Sequence, residues 1–183
     1  MATSTKTETV HAVDLADGVT ASVSGRMLTV KGPLGSAKKR FDRVHVNLEV
    51  KDGKVNIRPF TEGKKDVVTS NTMSSLIRNM VIGVTKGYTY KLKVVFAHFP
   101  VTVKVKGKQV FVENFVGERS ARVTDIIGEC KVSVDGDDII IKGVSLEDVG
   151  QTSANLEQAT KIKRKDQRIF LDGVYVYEKK KGW

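Results

Sequence analysis

Two stretches of the sequence decide the fold, because the second repeats the pattern of the first. The first reads VSGRMLTVKGPLGSAKKRF over residues 23–41, and the second reads VKGKQVFVENFVGERSARV over residues 105–123. Aligned without gaps at an offset of 82 residues, they share five identical positions, the last of which is Arg40 with Arg122. Turn glycines and alternating apolar residues in one register favour an internal duplication over the alternative, a shared strand-rich composition.

Each copy contains two predicted β-hairpins. In the first copy, apolar residues alternate on both sides of Gly25 and again on both sides of Asp52-Gly53. In the second copy, they alternate around Gly107 and around Asp135-Gly136. Such alternation indicates strands with one buried face, and glycine supplies the positive φ angle that a tight hairpin turn requires.

A helical pattern follows the hairpins in both copies. In the first copy, residues at spacings of four, three and four lie on one helix face, and Gly87 is positioned to end the helix. In the second copy, Ser145 is the predicted N-cap. The two predicted buried faces are Met73, Ile77, Met80 and Val84, and Val149, Leu156 and Ala159 with Leu146 and Ile162 as further members.

The sequence therefore predicts an α+β protein of two tandem homologous domains, each a mainly antiparallel sheet packed against a helix. A final strand is expected to close each copy, at residues 90–96 in the first and at residues 168–176 in the second. The predicted limits are an N-terminal extension at 1–9, the first repeat at 10–87, the second repeat at 88–178 and a basic C-terminal tail at 179–183.

The composition limits the kind of protein that this chain can be. Of its 183 residues 40% are hydrophobic and 28% are charged, which is typical of a globular protein and excludes wholesale disorder. No apolar run reaches the roughly 18 residues of a membrane-spanning helix, and residues 1–10 do not resemble a secretory signal. The single cysteine, Cys130, forms no intramolecular disulfide and no zinc site by itself.

Positive charge dominates and is unevenly distributed. The chain has 31 Lys and Arg against 21 Asp and Glu, a net charge of +10. Residues 125–157 reverse the sign, with two lysines against eight acidic side chains, and we expect this stretch to face away from an acidic partner. The strongest basic run follows it, at residues 161–168. Further basic residues are predicted on turns at corresponding sheet ends, namely Lys38, Lys39 and Arg40 in the first copy and Arg119 and Arg122 in the second.

The net charge alone leaves three classes of partner open: a nucleic acid, a membrane surface and an acidic protein. Neither helix has a basic face opposite bulky apolar residues, which argues against a membrane. Lys and Arg on rigid loops can neutralise phosphates of a folded RNA. A free adaptor that binds RNA or acidic proteins through the same loops is the alternative interpretation, and a solvated basic surface without a partner is the simplest one.

Motifs for catalysis, for metal binding and for reading single-stranded RNA are missing from the sequence. There is no phosphate-binding Gly-x-x-x-x-Gly-Lys-Ser/Thr loop and no Gly-x-Gly-x-x-Gly fingerprint. The three histidines lack the spacing of metal ligands, and Asp137-Asp138 follows a tight turn, where a solvated carboxylate pair is expected. We therefore expect no catalytic residue, no metal, no cofactor and no small-molecule substrate.

Three long motifs resemble those of a known family. They are YTYKLKVVFAHFP at residues 88–100, NFVGER at residues 114–119 and KDQRIFLDGVYV at residues 165–176. In this order they closely resemble the archaeal and eukaryotic form of the sixth universal large-subunit ribosomal protein family, counted ninth in eukaryotic naming. The resemblance extends from about Val10 to Glu178, and that family is built from two homologous α+β domains.

The resemblance implies a structural, non-enzymatic component of the large ribosomal subunit that binds its rRNA. The family's second domain lies near the sarcin–ricin loop and the stalk base, so translational GTPases and other large-subunit proteins would be neighbours. It also implies a cytoplasmic ribosome, with assembly in the nucleolus if the organism is a eukaryote. The leading candidates for rRNA contact are Lys161, Lys163, Arg164, Lys165 and Arg168, followed by Arg119 and Arg122, with Lys38, Lys39 and Arg40 added from the charge pattern.

Overall fold

A computed structural model describes residues 11–42, 44–61, 63–163, 165–166 and 168–183. The predicted N-terminal extension at residues 1–9 and the site candidate Arg164 lie outside the described residues. The chain separates into two compact units, Met1–Thr85 and Lys86–Trp183. The domain limits given above stay predictions at the level of single residues.

The first unit consists of two three-stranded antiparallel sheets and one helix. The sheets have the strand orders β1-β6-β5 and β2-β3-β4. Helix α1 contacts strands of both sheets. The elements are β1 at His11–Asp14, β2 at Thr20–Ser24, β3 at Met27–Gly32, β4 at Gly35–Arg40, β5 at Val46–Lys51, β6 at Lys54–Pro59 and α1 at Lys64–Thr85.

The second unit has a three-stranded sheet, a four-stranded sheet and one helix. The orders are β10-β9-β8 and β11-β12-β7-β13, and all described pairings are antiparallel. Helix α2 contacts strands of both sheets. The elements are β7 at Tyr88–Val95, β8 at Thr102–Lys106, β9 at Gln109–Glu113, a 3₁₀ turn at Phe115–Gly117, β10 at Arg122–Asp125, β11 at Lys131–Asp135, β12 at Asp138–Gly143, α2 at Leu146–Ala159 and β13 at Gly173–Lys181.

The two units repeat the same topology. The order β2-β3-β4 of the first matches β8-β9-β10 of the second, and β1-β6-β5 matches β7-β12-β11. Strand β7 is therefore the counterpart of β1. The expectation that residues 90–96 close the first copy is wrong, because this strand pairs with β12 and β13 in the second unit. Strand β13 has no counterpart in the first unit among the described residues.

The predicted hairpins are confirmed. The turns between β2 and β3 and between β8 and β9 place Gly25 and Gly107 at φ angles of 60° and 61°. The turns at Asp52-Gly53 and at Asp135-Gly136 connect β5 to β6 and β11 to β12. Left-handed backbone at these positions is accessible to glycine without a steric penalty, which explains why alternation and glycine together located the turns.

The gapless alignment holds through the first hairpin and then fails. In the first unit Val30 pairs with Ala37, whereas its counterpart Val112 pairs with Arg122. The connection between β9 and β10 is longer than the connection between β3 and β4, because it contains the 3₁₀ turn. Arg40 at the end of β4 and Arg122 at the start of β10 are consequently not equivalent, so their predicted correspondence is wrong.

The predicted helix faces largely match the structure. Of the α1 face, Met73, Ile77 and Val84 are deeply buried, and Gly87 follows the helix with a φ of 78°. Ser145 caps α2 by accepting a hydrogen bond from the backbone N–H of Asp148 at 3.2 Å. The buried core of the second unit includes Val149 and Leu156 of the helix and Ile162, which lies three residues beyond the helix end.

The last strand begins and ends later than predicted. It starts at Gly173 and not at Arg168, because residues 168–171 form a turn and a connection. It continues through Lys179–Lys181, the residues of the predicted tail, and pairs with β7 as far as Tyr88. Beyond the strand, Gly182 donates a hydrogen bond to the carbonyl of Gly87 at 2.9 Å. The backbone of these three lysines is therefore part of the sheet.

Candidate nucleic-acid interface

The basic segment 161–168 lies in the connection between α2 and β13. The helix ends at Ala159, and its C-cap residue Thr160 accepts a hydrogen bond from the N–H of Val174 at 3.0 Å. This bond ties the start of the connection to the start of β13. The described basic side chains of the segment are all exposed, namely Lys161, Lys163, Lys165 and Arg168.

Apolar residues anchor both ends of this segment. Ile162 is 8% exposed and belongs to a buried cluster with Val112 and Phe115. Phe170 packs against the same cluster from the other end. Because the anchors flank Lys163, Lys165 and Arg168, this part of the segment is fixed on the second unit at two points. Its charged side chains therefore project from a defined scaffold.

Asp166 organises the turn inside the segment. Its carboxylate accepts from the N–H of Arg168 at 3.0 Å, and its carbonyl accepts from the N–H groups of Ile169 and Phe170 at 3.2 and 3.0 Å. The ammonium group of Lys165 lies 4.4 Å from the centroid of the Phe170 ring. The one acidic residue of the segment thus shapes the backbone, and Lys165 is placed by a cation–π contact.

A buried carboxylate is connected to the end of the segment through His98 and Phe170. Asp172 is 1% exposed and accepts hydrogen bonds from the backbone N–H of Ala97 at 2.9 Å and from the His98 ring at 3.3 Å. The His98 ring in turn stacks on Phe170 with 4.9 Å between ring centroids. Sequence reasoning missed Asp172, although an acid inside the apolar run Ile169–Val174 is a recognisable signal for a buried hydrogen-bonded group.

Arg122 is directed into the protein. Its guanidinium group donates to both oxygens of Glu118, at 2.9 and 2.6 Å, and lies 4.4 Å from the centroid of the Phe115 ring. Its remaining terminal nitrogen donates to the carbonyls of Ala159 and Lys161 at 2.8 and 3.2 Å. Arg122 therefore connects the 3₁₀ turn to the start of the basic segment, and only 24% of its side chain is exposed.

The ion pair shifts the titration of Glu118. The hydrogen bond from Arg122 lowers the pKa of Glu118, and the charge of Arg122 acts in the same direction, while burial opposes them. The carboxylate is thus ionised at neutral pH and holds the guanidinium group. Arg119, three residues earlier than Arg122, is exposed and belongs to no element.

The three candidates of the first unit lie in a strand and not in a turn. Lys38, Lys39 and Arg40 are the last residues of β4, an edge strand. Successive side chains of a strand point to opposite faces, so Lys38 and Arg40 share the exposed face and Lys39 is half-buried on the other. The prediction of a basic turn here is wrong, because these backbone groups pair with β3.

Chemistry at the cysteine is disfavoured. Burial, with a further contribution from Asp148, raises the pKa of the Cys130 thiol to about 11, so the thiol stays protonated at neutral pH. Among the described residues no group of His, Cys, Asp and Glu side chains could hold a metal ion. No helix in the described part of the chain is both long and apolar enough to cross a membrane.

Comparison with known proteins identifies the family. The sequence model described as Ribosomal protein L6 matches this chain twice, at residues 15–87 and at residues 99–173. The chain belongs to the ribosomal protein L6 family. The two matches confirm the predicted pair of homologous α+β domains, and membership of the L6 family confirms the resemblance inferred from the three motifs. Since the L6 family consists of ribosomal proteins, the expectation that this chain is not an enzyme is also confirmed.

Archaeal members of the L6 family are similar over nearly their whole length. The large ribosomal subunit protein uL6 of Methanocella arvoryzae is 43% identical over 173 residues, which is 94% of this chain and 98% of the relative. That of Desulfurococcus amylolyticus is 44% identical over 170 residues, 91% of this chain and 92% of the relative. That of Archaeoglobus fulgidus is 42% identical over 182 residues, 97% of this chain and 93% of the relative.

Proposed function

We propose that this chain is a structural constituent of the large ribosomal subunit that binds large-subunit rRNA through the basic segment 161–168. The observation that carries the proposal is the anchored geometry of this segment. Two apolar anchors, Ile162 and Phe170, flank three exposed basic side chains, those of Lys163, Lys165 and Arg168, and Lys161 directly precedes the first anchor. Membership of a ribosomal protein family supports rRNA as the acidic partner.

The contact chemistry follows from exposure and charge. No carboxylate among the described residues forms an ion pair with the side chains of Lys161, Lys163 or Arg168. Each can approach a phosphate, displace condensed counterions and make affinity depend on salt. Arg164 and Arg119 complete the proposed contacts, whereas we assign Arg122 primarily to positioning, because its nitrogens already donate within the protein.

The place on the subunit is part of the proposal. The family resemblance favours a location near the sarcin–ricin loop and the stalk base, which would support the region where translational GTPases bind during cytoplasmic translation. Neighbouring large-subunit proteins would be further partners. The rigid attachment of segment 161–168 to two strands and a helix supports a scaffolding role in this region.

Cosedimentation tests the proposal. The purified chain is mixed with large subunits depleted of their own copy of this protein, and the mixture is centrifuged with and without prior ribonuclease treatment. We expect the chain in the large-subunit fraction without nuclease and in the light fractions after nuclease. Recovery with a protein partner after nuclease would favour the adaptor alternative, and no cosedimentation in either sample would contradict both.

A further inference from the structure

The outward face of the sheet β2-β3-β4 has an unusual composition. The strand register places nine side chains on this face, of which five carry hydroxyl groups, three are cationic and one is methionine. We call it the hydroxyl–cation face, and it consists of Thr20, Ser22, Ser24, Met27, Thr29, Lys31, Ser36, Lys38 and Arg40. It contains no acidic residue.

This face is open to solvent. On the opposite face of the sheet, Leu28 and Val30 are fully buried, and the sheet contacts α1. Seven of the nine outward side chains are exposed, and the two others, Met27 and Thr29, are half-buried in the central strand. A sheet with one packed face and one such polar face is ordinary, but the polar face normally carries charges of both signs.

The cations of the face have little internal compensation. Lys31 and Lys38 form no ion pair among the described residues. Arg40 pairs with Asp42 at 2.8 Å, with 68% and 48% of the two side chains exposed. An exposed pair of this kind contributes little free energy, so a phosphate can compete for the guanidinium group.

The duplicated unit provides an internal comparison. The corresponding outward face of β8-β9-β10 also carries lysines, but acids accompany them. Lys104 pairs with Glu113 at 2.6 Å, and Gln109 donates to Asp125 at 2.9 Å. At an offset of 82 residues, Lys31 of the first unit corresponds to Glu113 of the second. The same fold thus carries a neutralised face in one unit and a purely cationic face in the other.

We infer that the hydroxyl–cation face binds the phosphate–sugar backbone of an rRNA segment, as a contact additional to segment 161–168. Serine and threonine hydroxyls and Lys and Arg side chains are the groups that proteins direct at phosphates and riboses. The face lacks the buried aromatic or aliphatic anchors on which protein–protein affinity depends, so RNA is favoured over an acidic protein. The inference rests on the proposed function, because it assumes rRNA as the partner.

The salt dependence of binding tests this inference. The full-length chain and the variant K31Q/K38Q/R40Q are titrated with protein-free large-subunit rRNA at several salt concentrations. The slope of log affinity against log salt should become shallower by about two to three units, since each lost phosphate contact removes roughly 0.7–0.9. The matched control K104Q/K106Q/K108Q removes the same charge from the second unit. It should change the slope by less than roughly 0.7–0.9, the contribution of one phosphate contact.

A second variant keeps the three cations of the face. S22E places a carboxylate on the hydroxyl–cation face, at an exposed position of its edge strand β2, and S133E places one at an exposed position of β11. S22E should weaken rRNA binding by about tenfold, the effect of roughly 1.4 kcal/mol, and S133E should not. Unchanged affinity and slope in K31Q/K38Q/R40Q and unchanged affinity in S22E would overturn the inference. A protein would then be the better candidate partner for this face.

The outcomes for the two proposals are distinguishable. If the unaltered chain shows no salt-dependent binding to rRNA, the proposed function itself fails. If the unaltered chain binds and substitutions in segment 161–168 weaken it, but K31Q/K38Q/R40Q behaves like its control, only the inference about the hydroxyl–cation face fails. Circular dichroism of each variant shows that the compared chains are folded.

Discussion

Arg122 and Glu118 form a two-point ion pair in which the guanidinium group also donates to the carbonyls of Ala159, the last residue of α2, and of Lys161, the first residue of the basic segment. The pair thereby couples the 3₁₀ turn of the second unit to the end of α2. Two parallel charge-assisted hydrogen bonds fix both the distance and the orientation of the arginine. Under the proposed function, this arrangement gives Glu118, an acidic residue, a positioning role in the binding of an anionic partner.

The variant E118Q tests that role. If Glu118 positions Arg122, the substitution should weaken rRNA binding by about threefold to tenfold, since a loss of roughly 1 kcal/mol in preorganisation is of that size. If Arg122 instead contacts rRNA directly and Glu118 competes with phosphate, removing the carboxylate should tighten binding. The affinity for protein-free large-subunit rRNA shows whether binding weakens or tightens. The matched control is E113Q, which breaks the ion pair with Lys104 on another face.

The same pair makes a prediction for acid stability. Glu118 has a folded-state pKa below its ordinary value of 4.5, so it contributes stability that is fully present above pH 4.5. This contribution is lost as the pH falls through the lowered pKa of the folded chain. The difference in unfolding free energy between the unaltered chain and E118Q should therefore be constant from pH 7 to about pH 5 and shrink below pH 4.5. Urea unfolding at each pH measures it, and a difference that grows on acidification would contradict the assignment.

Removing charge from the basic segment should reduce salt dependence without unfolding the chain. In K163A/K165A/R168A, the slope of log affinity against log salt should fall in magnitude by about two to three units. The anchors Ile162 and Phe170 are retained, so thermal unfolding should change little. K93A/K131A/K142A removes three lysines from strands β7, β11 and β12 of the second unit and should leave the slope nearly unchanged. Equal slopes for the two triple variants would refute the assignment of the segment.

Gly87 should tolerate no side chain. Its φ is 78°, and a Cβ at this position would overlap the indole ring of Trp183. G87A should therefore lower the free energy of unfolding by more than about 1 kcal/mol, the usual penalty for L-residues in left-handed backbone. G150A is the contrast, because Gly150 lies inside α2 and a Cβ at this position would point into open space. That variant should stabilise the chain by about 0.5–1 kcal/mol, and denaturant unfolding of both variants checks the opposite signs.

Local patterns in the sequence predicted local structure well. The hairpin turn at Gly25, the helix face with Ile77 and the N-cap Ser145 each depend on residues close in sequence. Periodicity of two or of about 3.6 residues records directly which side chains are buried. These features could therefore be predicted without knowing which strands pair.

Long-range pairing could not be predicted in the same way. Strand β7 is sequence-adjacent to α1 but pairs with β12 and β13 in the second unit, so its place was assigned to the wrong copy. The alignment of Arg40 with Arg122 fails for a similar reason. The turn glycines align, but the connection between β9 and β10 is longer than the one between β3 and β4, so the two arginines take different positions in their strands. Alternation shows that a segment is a strand but carries no information about its partner.

The candidate site was predictable in its charge and not in its geometry. The exposure of Lys163 and Arg168 follows from composition, since such residues are rarely buried. The inward direction of Arg122 could not be predicted from its spacing of four residues from Glu118, because the two residues do not lie on a helix. That spacing indicates an ion pair only on a helix, and here a 3₁₀ turn and a loop bring the two side chains together.

The central claim, that this chain is an rRNA-binding constituent of the large subunit, is tested most directly in cells. A lysate from cells that express the tagged chain is centrifuged through a sucrose gradient under conditions that dissociate the subunits. The account predicts the chain in the large-subunit peak, in constant ratio to large-subunit rRNA across that peak. Recovery of the chain in the free fractions, with none in the large-subunit peak, would contradict it.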